Sequence, residues 1–137
     1  MFKEDTQALA ASERAATIAS GDYEVVIVGV NQQKAKPGGY GSFVITFAIA
    51  DGDYEGVEYP WWLTQSPNAV GMRASFYRNI GYVRPEDGCV DENDFVGQPA
   101  KITLVNNDGQ VKVMRVNKSE KLVEGPEAEP ADEFNDA

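Results

Sequence analysis

The chain has 137 residues, with 12 basic and 22 acidic side chains, a net charge of −10, no histidine and a single cysteine, Cys89. That length suits one domain able to bury a core without staples. Lacking histidine, it lacks the usual general base and the commonest zinc ligand, and one cysteine rules out an internal disulfide.

In chain order, residues 5–19 are rich in Ala, Glu and Arg, which favours a weak helix stopping near Ser20 and Gly21. The segment carries acids and lacks the apolar centre of a secretory leader, and no run in the chain approaches the roughly 20 apolar residues of a membrane helix. "GDYEVVIVGV" (21–30) is a β-branched strand. Strict alternation puts Tyr23, Val25 and Ile27 on one face and Glu24, Val26, Val28 and Val30 on the other. Both faces are largely apolar, as in a central strand. "NQQKAKPGGYGS" (31–42) is a loop punctuated by Pro37, Gly38, Gly39 and Gly41. "FVITFAIAD" (43–51) alternates strictly, with Phe43, Ile45, Phe47 and Ile49 on its apolar face. "VEYPWWLT" (57–64) is a third strand, and Pro60, which has no ladder donor, places it at an edge or a bulge.

The period then changes. Ser66 and Pro67 open a helical pattern in which Ala69, Met72, Phe76 and Ile80 recur, and Gly81 stops it. Residues 82–99 form a long acidic loop. "AKITLV" (100–105) and "QVKVMRV" (110–116) are two strands joined by "NNDG", whose Asp108-Gly109 is a hairpin signal. Alternation in the last strand groups Lys112 with Met114, and Val111 with Val113 and Arg115. From residue 119 the composition collapses to acids, Ala and Pro, the signature of disorder. The division is an N-terminal arm (1–20), a mainly β domain (21–118) and an acidic tail (119–137). Three strands, a helix and two strands match a five-stranded Greek-key barrel with its helix between strands three and four, the OB-fold, although the spacing also admits a small mixed sheet.

Charge is unevenly spread. The tail holds seven acids against one base, and "EDGCVDENDF" (86–95) holds five acids and no base. With both set aside, the 21–118 body has nine bases against seven acids, so a locally basic groove is compatible with the acidic whole. "DGDYEG" (51–56) imitates the start of a calcium loop, but the acid required at position 12 falls on Trp62, so a turn is the better reading. No catalytic constellation appears, and nothing calls for a cofactor or a metal. Cys89 reads as a half-buried small apolar residue.

The adjacent tryptophans Trp61 and Trp62 carry the most information. Successive residues of a strand face opposite ways, so Trp61 joins Tyr59 and Leu63 in the core while Trp62 faces out. An exposed indole is a base-stacking platform, unless the helix, the N-terminal arm or a second copy covers it. Tyr40 in the first loop is a second platform, and Lys34, Lys36, Lys101, Lys112 and Arg115 are candidate phosphate contacts. In the tail, Phe134 lies among Glu129, Asp132, Glu133 and Asp136, a composition suited to recruiting protein partners and to competing for a basic groove.

The runs "GDYEVVIVGV", "FVITFAIADGDYEGVEYPWWLT", "FYRNIG" and "DFVGQPAKITLV" resemble a phage family, formerly a domain of unknown function, associated with single-stranded DNA binding. The resemblance covers residues 21–116. It implies an OB-fold, single-stranded DNA as ligand, the cytoplasm of an infected bacterium as location, and a role in phage DNA replication or recombination, with protein partners of those processes reached through the tail. Unlike bacterial tails that end on an aromatic, three residues follow Phe134 here. Two other readings stay open: an acidic module that binds a basic protein, such as a DNA mimic, and a virion or assembly module whose Trp62 face makes a homo-oligomer.

Overall fold

The computed structural model describes residues 5–35 and 37–120. A helix α1 (Thr6–Thr17) precedes β1 (Gly21–Gln33), β2 (Ser42–Ile49) and β3 (Glu58–Thr64). A 3-10 turn (Pro67–Ala69) runs into α2 (Val70–Asn79), and a second 3-10 turn (Glu92–Phe95) leads to β4 (Pro99–Asn107) and β5 (Gln110–Asn117). All pairings are antiparallel, in the order β3-β2-β1-β4-β5. The two outer strands of that order, β3 and β5, also approach one another. The result is a nearly closed, five-stranded OB-like barrel with α2 between β3 and β4.

The alternating residues of the strands fill the barrel. Phe43, Ile45, Phe47 and Ile49 of β2 all point inward and are buried, as their spacing requires. Val25 and Ile27 meet them from β1, Tyr59 and Leu63 from β3, and Ala100, Ile102 and Leu104 from β4. Pro60 lies on β3, the edge strand, where its missing N–H costs the sheet least. At the β4–β5 hairpin, Asp108 (φ 52°) and Gly109 (φ 89°) both take the left-handed conformation demanded by a tight two-residue turn.

Each mouth of the barrel is closed by a helix. Phe76 and Tyr77 of α2 and Ile80 at its C-cap seal one mouth together with Phe95 from the second 3-10 turn. Phe95 is the hub there, stacked edge-on against Phe43, Phe76 and Tyr82 with centroids 5.2–6.2 Å apart. The helical face differs in two positions from the periodic expectation: Tyr77 is buried and Met72 is exposed. The covered face runs through Ala69, Arg73, Phe76, Tyr77 and Ile80, and the half-buried Arg73, bonded to the carbonyls of Thr64 and Ser66, takes the place expected of Met72.

At the other mouth α1 is capped by the Asp5 carboxylate and, among the described residues, is anchored through its C-terminal end. The Tyr59 hydroxyl donates to the Ala15 carbonyl (2.9 Å). The Asn106 side-chain amide donates to the carbonyls of Ala16 (2.9 Å) and Ile18 (2.6 Å), and its oxygen accepts from Gly109 N–H. Ile18 follows into the core, fully buried. Arg14 adds a bond to the Asp53 carbonyl and lies over the Tyr54 ring in the β2–β3 turn.

Two β-bulges set the outward faces. One lies in β1 between Ile27 and Gly29, the other opposite the Thr103–Leu104 step, at Met114 of β5. Each inserts one residue and reverses the phase of the strand beyond it. Val30, expected with Glu24 and Val26, instead pairs with buried Ile45 and packs on the core. Arg115, expected with Val111 and Val113, instead pairs with Thr103 and is exposed. Cys89 is exposed, not half-buried, because the 82–91 stretch runs over the surface.

Candidate nucleic-acid interface

The strand register builds a platform on the outer side of β1, β2 and β3. Residues directly opposite across a ladder share a face. Asn31 pairs with Val44, which pairs with Trp62. One row to either side, Gly29 pairs with Thr46 and that with Pro60, while Gln33 pairs with Ser42 and that with Thr64. None of these nine residues is charged, and only Trp62 is aromatic; the next row, Val26, Ala48 and Glu58, brings one exposed acid to the same face. Trp62 is 52% exposed, whereas Trp61 points inward and packs on Phe47 and Phe76 at centroid distances of 6.2 and 5.3 Å. Among the described residues, about half of the Trp62 surface stays open to solvent.

The β1–β2 loop borders the platform. Gly41 fixes its base, since its carbonyl accepts from Gln65 N–H (2.9 Å) and a Cβ there would come 2.9 Å from the Gln33 carbonyl oxygen. Tyr40, next to it, is 61% exposed. Lys34 is exposed in the same loop, and Lys36 lies outside the described residues.

The other candidate cations divide into two groups. Lys112 and Arg115 are exposed on the outer face of β5, where Lys112 pairs with Val105 and Arg115 with Thr103, and neither forms an ion pair with a described residue. Their strand, β5, lies next to β3 where the barrel closes. Lys101 stands apart on β4. It is bonded to the Glu120 carboxylate and lies 3.9 Å from Glu24. That hydrogen bond holds its ammonium pKa above the ordinary lysine value and the Glu120 carboxyl below the usual range. Glu24 also accepts from the buried Ser119 hydroxyl and the Glu120 N–H, so the first residues of the tail are fastened beside Lys101. The tail residues Glu129, Asp132, Glu133, Phe134 and Asp136 lie outside the described residues. Arg73 is structural: its guanidinium donates to the carbonyls of Thr64 (2.9 Å) and Ser66 (2.7 Å) and ties the end of β3 to α2.

The opposite rim carries the other sign. Gly97 N–H donates to the Ile27 carbonyl (2.7 Å) and Ile27 N–H to that of Gln98 (3.0 Å), which brings the second 3-10 turn alongside β1. Glu92 and Asp94 belong to that turn, and Asp91 caps it. Asn31 and Gln33 carry no sequence signal of their own. Their signal is positional, since only the register shows that they flank Val44 and Ser42.

Among the described residues there is no group of acids and cysteine fit to hold a metal ion, and no helix long and apolar enough to cross a membrane. Neither a family model nor a curated protein matches the chain.

Proposed function

We propose that the chain is a non-catalytic single-stranded DNA-binding protein that serves phage DNA replication or recombination. The observation that carries this reading is the half-exposed Trp62 indole on the outer three-strand wall of an OB-like barrel, the wall and loops with which such barrels hold oligonucleotides. Bases stack on Trp62 and on Tyr40, each stack contributing roughly 1–3 kcal/mol. Lys34, Lys36, Lys112 and Arg115 neutralise phosphates. Lys101 joins them only when Glu120 lets go, so it is the weakest of the proposed contacts. The acidic tail recruits replication or recombination proteins.

The test is a fluorescence titration with oligo-dT over a salt series. Binding quenches Trp62 and weakens steeply with salt as condensed counterions are released. Absence of quenching at low salt and micromolar protein, together with capture of a basic protein, would replace this reading with that of an acidic protein-binding module.

A further inference from the structure

The platform has two unlike rims, and this asymmetry orients a bound strand. Lys112 and Arg115 are on the outer face of β5, the strand next to β3, where they outnumber the single acid Glu58 at the far row of β3, while Glu92 and Asp94 belong to the turn alongside β1. A phosphate backbone is drawn to the first rim and repelled from the second. With the backbone along β3 and β5, a base stacked on Trp62 points its pairing edge across Val44 toward β1. The side chain waiting there is Asn31, exposed and in the same row.

Resting on the single-strand reading above, we propose that Asn31 reads the pairing edge of the base stacked on Trp62 and makes the face selective for purines. Trp62 and Asn31 are two strands apart, a backbone separation of roughly 10 Å. A two-ring base whose sugar sits at the β3 rim spans that gap and brings its edge to the Asn31 amide. A one-ring base anchored at the same rim stops short over Val44. The amide presents a donor and an acceptor side by side, as an adenine edge requires. Differences in stacking strength between bases act on wild type and variant alike, so the part of a purine preference that depends on the amide reports the edge contact.

The test compares oligo-dA and oligo-dT of equal length on the wild type and on Asn31→Ala, with Kd read from Trp62 fluorescence. Self-stacking of free oligo-dA affects both proteins equally and cancels in the comparison. The dA-over-dT preference is expected to be about tenfold greater in the wild type than in Asn31→Ala, the lower-middle of the range for a bidentate amide–base contact. Asn31 is exposed, so the variant folds, which its thermal midpoint verifies. An unchanged preference with salt-sensitive binding intact overturns the role of Asn31 alone. Loss of all oligonucleotide binding by the wild type overturns the single-strand reading as well.

Discussion

Truncating each of the two neighbouring tryptophans separates the core from the binding face. Trp61 is mostly covered and touches Phe47 and Phe76, so Trp61→Ala removes most of an indole from a packed aromatic group. Such truncations cost about 3–5 kcal/mol, and the partial exposure of Trp61 places it near about 3. Trp62 is 52% exposed. With about half of the roughly 250 Å² of a tryptophan covered, area bookkeeping at about 25 cal/mol per Å² gives an upper value near 3 kcal/mol. The alanine that remains and the compactness of the unfolded chain reduce this to about 1–1.5 kcal/mol. Binding reverses the order. Trp62→Ala loses a stacked base, roughly 1–3 kcal/mol or about 5- to 150-fold in Kd, while folded Trp61→Ala binds as the wild type does. Urea unfolding gives the first comparison. Fluorescence anisotropy of a labelled oligo-dT gives the second, because it reads the ligand and needs no tryptophan. Equal stability losses, or a folded Trp61→Ala that binds as poorly as Trp62→Ala, would refute the assignment of the two faces.

Other expectations rest on the polar and charged groups. Burial pushes the Tyr59 hydroxyl up to about 12, so the unfolded chain ionises first on the alkaline side. Stability is therefore full below pH 10 and declines as pH rises from about 10 toward 12, and ionisation removes the proton donated to Ala15; urea midpoints across that interval should fall, and Tyr59→Phe should flatten the decline. Asn106→Ala removes two bonds to the end of α1 and one within the β4–β5 turn, so it should cost about 2–3 kcal/mol and speed amide exchange in α1, measured by hydrogen exchange. Replacing either Lys112 or Arg115 by Ala should lower the salt slope of log K by about 0.7 for each phosphate left without its cation, whereas Lys101→Ala, whose partner is already Glu120, should leave the slope nearly unchanged.

Where one residue type answers to one geometry, the sequence is a reliable guide. The alternation of Phe43, Ile45, Phe47 and Ile49 can satisfy only a strand with one buried face, and two adjacent indoles in a strand must part company. Asp108-Gly109 needs left-handed backbone and obtains it. The bulges are not legible, because an extra residue leaves no periodic mark of its own, and their effect falls on Val30 and Arg115 further along the strands. Phe95 is hidden for a related reason. It is a lone aromatic in an acidic stretch without periodicity, yet a single 3-10 turn carries it into the core. The pairing of Lys101 with Glu120 joins residues nineteen positions apart and depends on Ser119 being buried against Glu24, which no local pattern announces. Asn31 and Gln33 fall in a stretch that reads as a loop, because β1 runs three residues beyond its last aliphatic side chain.

The bulge at Met114 decides which way the guanidinium two strands from β1 points. With Met114 looped out, Val113 lies opposite Leu104 and Arg115 opposite Thr103 on the outer wall. A ladder that straightened while keeping Met114 would set Met114 opposite Thr103 and turn Arg115 inward opposite the buried Ile102. Exchange or loss of the residue at 114 therefore leaves the guanidinium outside, while absorbing that residue into the pairing forces the barrel to admit a cation.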